Sequence, residues 1–507
     1  MNGKNGTAIR GIPTGVPGLD SVLGGGLPEY SFNLIAGGPG SGKTTLAHQI
    51  MFANATVERP ALYFTVLGEP TIKMLRYQRQ FSYFNPDLAG SAIQFINLSA
   101  EVMERDLSEV LARIITEIER AKPGIVVVDS FRTIGGQHGT SERSATFDLD
   151  HFIQRLALHL TTWEVTSFLL GEYAEEEQRN PVFTVADGLL WLSQATDRNS
   201  VVRKLQVVKI RGRAPMPGLH TFRITDDGLQ IFPRIPEQTR KRAQPKHERL
   251  STGVPGMDEM VGGGVIAGDA VMLTGPAGSG KSTFATQFMV AGLASGETGV
   301  IAVFEEYPEE YLVRANTRNP EVGKMIKAGK LELIYLRPLD LSVDEALSAI
   351  LEAVERLGAK RVVIDSLSGF EVALAPTFRE DFRESLYRLV GTLTATGVTV
   401  FMTAEVSERF TDARFTSEKV SFITDEIIVQ RYIEMEGELR RVMAVIKMRG
   451  SEHSHQFRTY EVTARGVVVG GPLTEYDGIV TGVPTLRKNS NGVHTLRKKL
   501  AKTKRVK

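Results

Sequence analysis

At 507 residues, with 42% hydrophobic and 23% charged side chains, the chain is too long for one ordinary core and has the composition of a globular protein in water, so two domains are expected. The absence of cysteine excludes disulfides, thiolate metal sites and cysteine nucleophiles, and a formal net charge of +1 gives no global drive toward nucleic acid. No apolar stretch approaches the ~20 residues of a membrane helix, and the opening MNGKNGTAIRGIPTG lacks a secretory pattern, so a cytoplasmic protein without membrane contact is expected.

The chain repeats itself. Thr14-Gly15-Val16-Pro17-Gly18 returns as Thr252-Gly253-Val254-Pro255-Gly256, an offset of 238 (252 − 14), which also relates Lys43 to Lys281, Asp187 to Asp425, Lys209 to Lys447 and Gly228 to Gly466. The first domain is expected over 1–235, a Pro-rich charged linker over 236–249, the second domain over 250–470, and a basic disordered tail over 471–507. Within each repeat short β-branched runs alternate with helical stretches: YSFNLIAG, ALYFTVL, GIVVVDS and TSFLLGE, against DAVMLTG, GVIAVFEE, RVVIDS and VTVFMTAE. The expected fold class is therefore α/β, a mostly parallel sheet covered by helices, with antiparallel strands and hairpin turns at Asp227-Gly228 and Arg465-Gly466 closing each domain.

Gly37 to Thr44 and Gly275 to Ser282 both satisfy G-x-x-x-x-G-K-[ST] between a strand and a helix. Gly40, Ser41, Gly42, Lys43, Thr44 and Thr45, with Ala277, Gly278, Ser279, Gly280, Lys281, Ser282 and Thr283, are the expected phosphate cradles. Glycines let backbone N–H groups converge on a phosphate, the helix N-terminus adds its positive end, and the lysines reach the β/γ oxygens, which points to ATP as the ligand. Thr44 and Ser282, with the strand-end carboxylates Asp129 and Asp365 and with Glu305, are the expected Mg²⁺-site residues.

The two sites differ. GVIAVFEEYP ends its strand in Glu305-Glu306, where a carboxylate beside bound ATP can take a proton from water or a hydroxyl, so Glu305, Glu306 and Lys281 are the expected catalytic residues. The offset puts Leu67-Gly68 at those positions in the first repeat, and Glu69 lies ~6.5 Å further along an extended strand, so the first site is expected to hold ATP without efficient hydrolysis.

On the T-G-V-P-G opening, the GGG turns at Gly24 to Gly26 and Gly262 to Gly264, both P-loops, F-E-E-x-P at Phe304 to Pro308, I-T-D at Ile423 to Asp425 and K-M-R-G-S at Lys447 to Ser451, the chain resembles the KaiC family over roughly residues 8 to 470. The resemblance implies two tandem RecA-like P-loop domains, a twisted sheet with helices on both faces in each, and a homohexameric double ring with ATP between subunits. It further implies that Lys209, Ile210 and Arg211, and Lys447, Met448 and Arg449, with Arg441, Ser451 and His453, reach a neighbour's nucleotide. It also implies serine/threonine autokinase activity, for which the matching dipeptide here is Ser421-Phe422, so that only Ser421 is a candidate acceptor, with Thr416 or Thr424 as neighbours. A regulatory protein partner is compatible with that role. The alternatives are a DNA-dependent RecA-like motor, favoured only by fold and by the nine Lys/Arg of residues 485–507, and a non-catalytic nucleotide-gated scaffold.

Overall fold

A computed structural model describes residues 10–66, 71–103, 107–130, 142–173, 182–197, 200–234, 248–336, 341–374, 382–406, 423–481 and 484–487. The chain divides into two compact units, Met1–Pro236 and Glu237–Lys507.

The first unit is built on a nine-stranded sheet. Its order is Gly228–Phe232, Leu219–Thr225, Ser200–Ile210, Gly188–Asp197, Phe32–Gly37, Thr166–Glu172, Ile125–Asp129, Ala61–Thr65, Ile93–Asn97. The six strands from Gly188–Asp197 onward run parallel and the other three are antiparallel. Period-two geometry explains why these strands read as unbroken apolar runs. Ile35, Tyr63 and Val127 enter one core with Leu46, Ile50 and Met51 of the helix Lys43–Asn54. Leu34, Phe64 and Val128 enter the opposite core with Val110, Ile114 and Ile118 of the helix Leu107–Ala121.

The second unit repeats the order with Leu331–Tyr335, Gly299–Val303, Arg361–Asp365, Thr399–Glu405, Ala270–Gly275, Glu426–Met435, Glu438–Met448, Arg458–Thr463 and Gly466–Pro472. Phe401 stacks with Phe284 and Phe288 of the helix Lys281–Ala294 at 5.5 and 5.0 Å. Ser342 caps the helix Val343–Leu357 by accepting from Glu345 N at 3.1 Å, and Gly358 closes it in the left-handed conformation. The two terminal hairpins turn on Asp226-Asp227 and Ala464-Arg465, one residue earlier than expected, and Gly228 (φ 94°) and Gly466 (φ 115°) supply the positive φ that follows the turn.

Both expected boundaries of the second domain move outward. Arg249 belongs to the domain rather than the linker: it pairs with Ile266, and its guanidinium donates to Val261 O at 2.6 Å and Gly264 O at 2.8 Å. At the other end, residues 473–481 belong to the domain and not to a tail beginning at 471. Ile479 is buried against Ile433 and Val442, and Arg431 donates to Val480 O at 2.7 Å. Leu473, Tyr476, Ile479 and Val480 do not alternate with their polar neighbours as a strand would, so this docking leaves little trace in the sequence.

His48, on the P-loop helix, is fully buried and stacks on Tyr63 with ring centroids 4.6 Å apart. Burial pushes its pKa from 6.5 down to about 3. The unfolded chain therefore takes up a proton that the native state refuses, so the stability tied to neutral His48 is present above pH 6.5 and is lost as pH falls toward 3. The expected slope for this group is about 1.4 kcal/mol per pH unit in that window. Denaturant unfolding of the first unit across pH 4 to 7 measures it, and His48→Phe, which keeps a ring beside Tyr63, should remove that component; an unchanged slope would exclude the assignment.

Candidate functional site

Each P-loop follows the carboxyl end of a strand central to its sheet and opens a helix. Gly42 (φ 97°) and Gly280 (φ 101°) are the left-handed residues immediately before Lys43 and Lys281. A Cβ on Gly42 would lie 2.9 Å from Ile224 Cδ1, and one on Gly280 2.8 Å from Val462 Cγ2, so the left-handed conformation calls for glycine there and a side chain would also press on these neighbours. Lys43 Nζ donates to Gly37 O at 3.0 Å and Gly38 O at 2.8 Å, and Lys281 Nζ donates to Gly275 O at 2.9 Å and Pro276 O at 2.8 Å. Each ammonium is thereby curled over the N-terminus of its helix, where phosphate oxygens can replace the carbonyls as acceptors. Burial lowers both lysine pKa values, opposed by Glu172 and Asp129 in the first site and by Glu405, Asp365 and Glu305 in the second. Ser41 and Ser279 are buried within their loops, while Thr45 and Gly40 line a cavity of about 530 Å³ in front of Lys43.

In that first cavity Thr44 Oγ1 donates to Asp129 Oδ2 at 2.9 Å, and Tyr63 donates its hydroxyl proton to the same oxygen. Burial raises the Asp129 pKa, and those two hydrogen bonds, with Lys43, pull it back. Hydroxyl and carboxylate side by side, next to the lysine, are an oxygen donor set that fits Mg²⁺, which Thr44 and Asp129 would hold. In the second repeat Thr403, from the neighbouring strand on the other side, donates to Asp365 Oδ1 at 2.5 Å. Tyr63 is replaced there by Ile301, and Leu170 of the first repeat stands where Thr403 does. Ser282 and Thr283 occupy the first turn of the helix Lys281–Ala294, with Ala277 and Gly278 (φ 74°) in the loop before it.

Glu305 and Glu306 follow the strand Gly299–Val303, whose end, Val303, pairs with Asp365. Ser366 donates to Glu305 Oε1 at 2.6 Å and accepts from Gly369 N at 3.0 Å, so the serine that caps the next helix also orients the carboxylate. Glu306 is committed differently, in an ion pair with Arg314, whose guanidinium lies 5.0 Å from the Tyr311 ring centroid. The two adjacent glutamates thus have different partners, Ser366 for Glu305 and Arg314 for Glu306. Leu67, Gly68 and Glu69 of the first repeat lie outside the described residues, as do Ser421 and Thr416. Thr424 is described and fully buried, which removes it as an accessible acceptor in this conformation.

The K-x-R-G segments sit at the opposite end of the sheet from their own P-loops. Lys209 Nζ donates to Ala186 O at 2.5 Å and Thr184 O at 3.1 Å, and Arg211 pairs with Asp187 at 2.9 Å. Lys447 Nζ donates to Thr424 O at 2.6 Å and Arg449 pairs with Asp425 at 3.1 Å. Asp187 and Asp425 also accept from Phe32 N and Ala270 N, the first residues of the P-loop strands, both at 3.1 Å. Ile210 and Met448, expected among the nucleotide contacts, are core residues: they lie on the other face of the strand from Lys209 and Lys447, which leaves only their backbone for a ligand. Ser451 accepts from Arg249, His453 stacks edge-on with His455 at 4.7 Å, and Arg441 lies away from them, its guanidinium 5.6 Å from the ring of Tyr432. A Cβ on Gly278 would meet that tyrosine's oxygen at 3.4 Å, so Arg441 stands beside its own P-loop.

Sequence reasoning missed Glu172 and Glu405, which end the strands beside the P-loop strands and pair in register with Gly37 and Gly275. Lys43 Nζ is 3.9 Å from Glu172 Oε1. The signal was present, since TSFLLGE and VTVFMTAE both end in glutamate, but their offset is 233 (405 − 172) and a search at 238 sets Glu172 against Phe410.

Comparison with known proteins agrees with this geometry. The family model described as "ATPase: KaiC" matches twice, over residues 12–235 and 250–474. The circadian clock oscillator protein KaiC of Rippkaea orientalis is 28% identical over 488 residues, covering 94% of this chain and 92% of the relative. KaiC of Picosynechococcus sp. is 28% identical over 496 residues (95% and 94%), and KaiC of Thermosynechococcus vestitus is 27% identical over 488 residues (94% and 92%). With both P-loop units matched in full register, the chain belongs to the KaiC ATPase family.

Proposed function

We propose that this protein is an ATP-hydrolysing, self-assembling regulator in which the second repeat turns over ATP, the first retains it, and Ser421 accepts phosphate. The observation that carries the asymmetry is Glu305, oriented by Ser366 at a strand end beside Asp365, against Leu67-Gly68 at the matching positions of the first repeat. Glu305 takes the proton of the attacking water or hydroxyl and Lys281 bears on the β/γ oxygens, while Ser282 and Asp365 would hold Mg²⁺, which when bound would supply neutralising charge to the phosphates. In autophosphorylation the Ser421 oxygen bonds to the γ-phosphorus, the bond to the ADP bridging oxygen breaks, and the serine proton passes to Glu305. Lys281→Ala or Glu305→Gln is expected to lower phosphate release at least 100-fold while the first repeat still retains nucleotide, whereas Lys43→Ala should leave turnover in place. Full turnover by Glu305→Gln, with loss in Lys43→Ala, would reverse the assignment, and stimulation by DNA would favour a DNA-dependent motor.

Geometry also supports a ring. The strand from Phe32 to Gly37 separates the Asp187–Arg211 cluster from its own P-loop by roughly 17 Å, so the K-x-R-G cations reach a phosphate only in another subunit. A homohexamer places Lys447, Arg449, Ser451 and His453 of one chain at its neighbour's nucleotide, an arrangement suited to clock-type signalling with a regulatory protein partner. Sedimentation should therefore show a monomer or small species without nucleotide and a hexamer with Mg-ATP, because ATP binds the assembled interface preferentially. A monomer at saturating Mg-ATP would exclude the ring.

Transfer across the interface is tested by mixing chains carrying Glu305→Gln with chains carrying Ser421→Ala and mapping phosphate by mass spectrometry. Phosphate on Ser421 of the Glu305→Gln chain is expected, since its neighbour brings the intact site. Mixed rings that carry no phosphate there, while the unmodified protein phosphorylates itself, would rule transfer in trans out.

A further inference from the structure

Among the described residues four non-glycine side chains have positive φ, and three of them line one cavity in the first unit: Tyr30 (φ 61°), Lys122 (φ 49°) and Glu164 (φ 55°). The three come from separate parts of the chain, before the P-loop strand, after the helix Leu107–Ala121 and before the strand Thr166–Glu172. At the matching places in the second repeat the left-handed conformation is kept and the residue is glycine each time: Gly268 (φ 87°), Gly358 (φ 59°) and Gly397 (φ 87°). The fold thus needs the backbone conformation but not the side chains. A side chain there is strained relative to glycine, and strain at three convergent positions is retained where function opposes it.

The cavity measures about 430 Å³, within the range of small-molecule sites. Its floor is apolar, with Ile118 and Val165 each 2% exposed. Tyr30 and Trp163, both half-buried, offer two aromatic faces on its walls, and Trp163 replaces what is Thr396 in the second repeat. Cations and carboxylates share the rim. Arg59 lies 5.9 Å from the Tyr30 ring centroid and 3.2 Å from Glu29, Lys122 lies beyond the helix end, and Glu164 stands next to Trp163. Aromatic walls take a planar ring, carboxylates accept from ring or amino N–H groups, and arginine with lysine takes an anion. We infer that this cavity is a second ligand site, separate from both P-loops, for a planar nitrogen heterocycle carrying an anionic group, the chemistry of a purine mononucleotide.

The probe is AMP, titrated by calorimetry into the full-length protein with both P-loops filled by Mg-ADP, with adenosine and inorganic phosphate as the ring-only and anion-only controls. One saturable AMP site per chain is expected beyond the P-loops, weakened at least tenfold by Tyr30→Gly or Trp163→Ala. Lys122→Gly should weaken AMP and leave adenosine unchanged. Because Tyr30→Gly and Lys122→Gly restore the glycines of the other repeat, neither should lower the melting temperature. Absence of a saturable site at millimolar AMP, equal binding by the Tyr30→Gly protein, or a marked drop in its melting temperature, which would make the tyrosine a structural prop, each overturns the inference.

Discussion

The interaction on which each unit depends is a buried glutamine on the P-loop helix. Gln49 Oε1 accepts from Leu229 N at 2.8 Å, while its amide nitrogen donates to Gly15 O at 3.1 Å and Leu229 O at 3.3 Å. Gln287 repeats this with Val467 N at 2.6 Å, Gly253 O at 3.3 Å and Val467 O at 3.2 Å. One side chain thereby ties the start of a repeat, its phosphate-binding helix and its last hairpin together. A buried amide must satisfy both its ends, so the T-G-V-P-G opening and the terminal hairpin cannot drift independently. A Cβ on Gly228 or Gly466 would sit 2.5 Å from the glutamine, which is the spatial reason for glycine after both turns.

The same frame carries two chemically different sites. In the first, a hydroxyl from the strand on one side, Tyr63, donates to the half-buried Asp129; in the second, Thr403 donates to Asp365 from the strand on the other side. A buried carboxylate needs hydrogen-bond donors, and either neighbouring strand can bring one. What differs is the space beside it: tyrosine packs on His48 within the first core, whereas the second site spends its polar contacts on Ser366 and Glu305. Both P-loop lysines are retained, and among the described residues the oriented Glu305 belongs to the second repeat.

The ends of the strands follow a further division. The P-loops and the helix N-termini they open lie at the carboxyl ends of their strands, and the K-x-R cations gather at the amino ends around Asp187 and Asp425. Each aspartate accepts from the first residue of the P-loop strand and pairs with an arginine, so it links the two ends of the sheet mechanically through one strand. Arg211 and Arg449 are thereby held, through these aspartates, at the base of the strand that carries the P-loop.

The sequence alone determined the tandem repeat, the α/β class, both P-loops between strand and helix and the strand-end positions of Asp129 and Asp365, because glycine conformation, strand period and lysine placement are local constraints that residue order records directly. It also exposed the missing glutamate pair of the first repeat, since a loss within a repeat is visible by register. Tertiary structure decided the rest. Glu172 and Glu405 stand beside the lysines only because their strands pair in parallel with the P-loop strands, and the five-residue change in offset hides that pairing from a search at fixed register. The different uses of Glu305 and Glu306, the commitment of Ile210 and Met448 to the core and the docking of Ile479 all depend on which neighbours the sheet brings within contact, information that lies in the packing of distant segments and in no single stretch of chain.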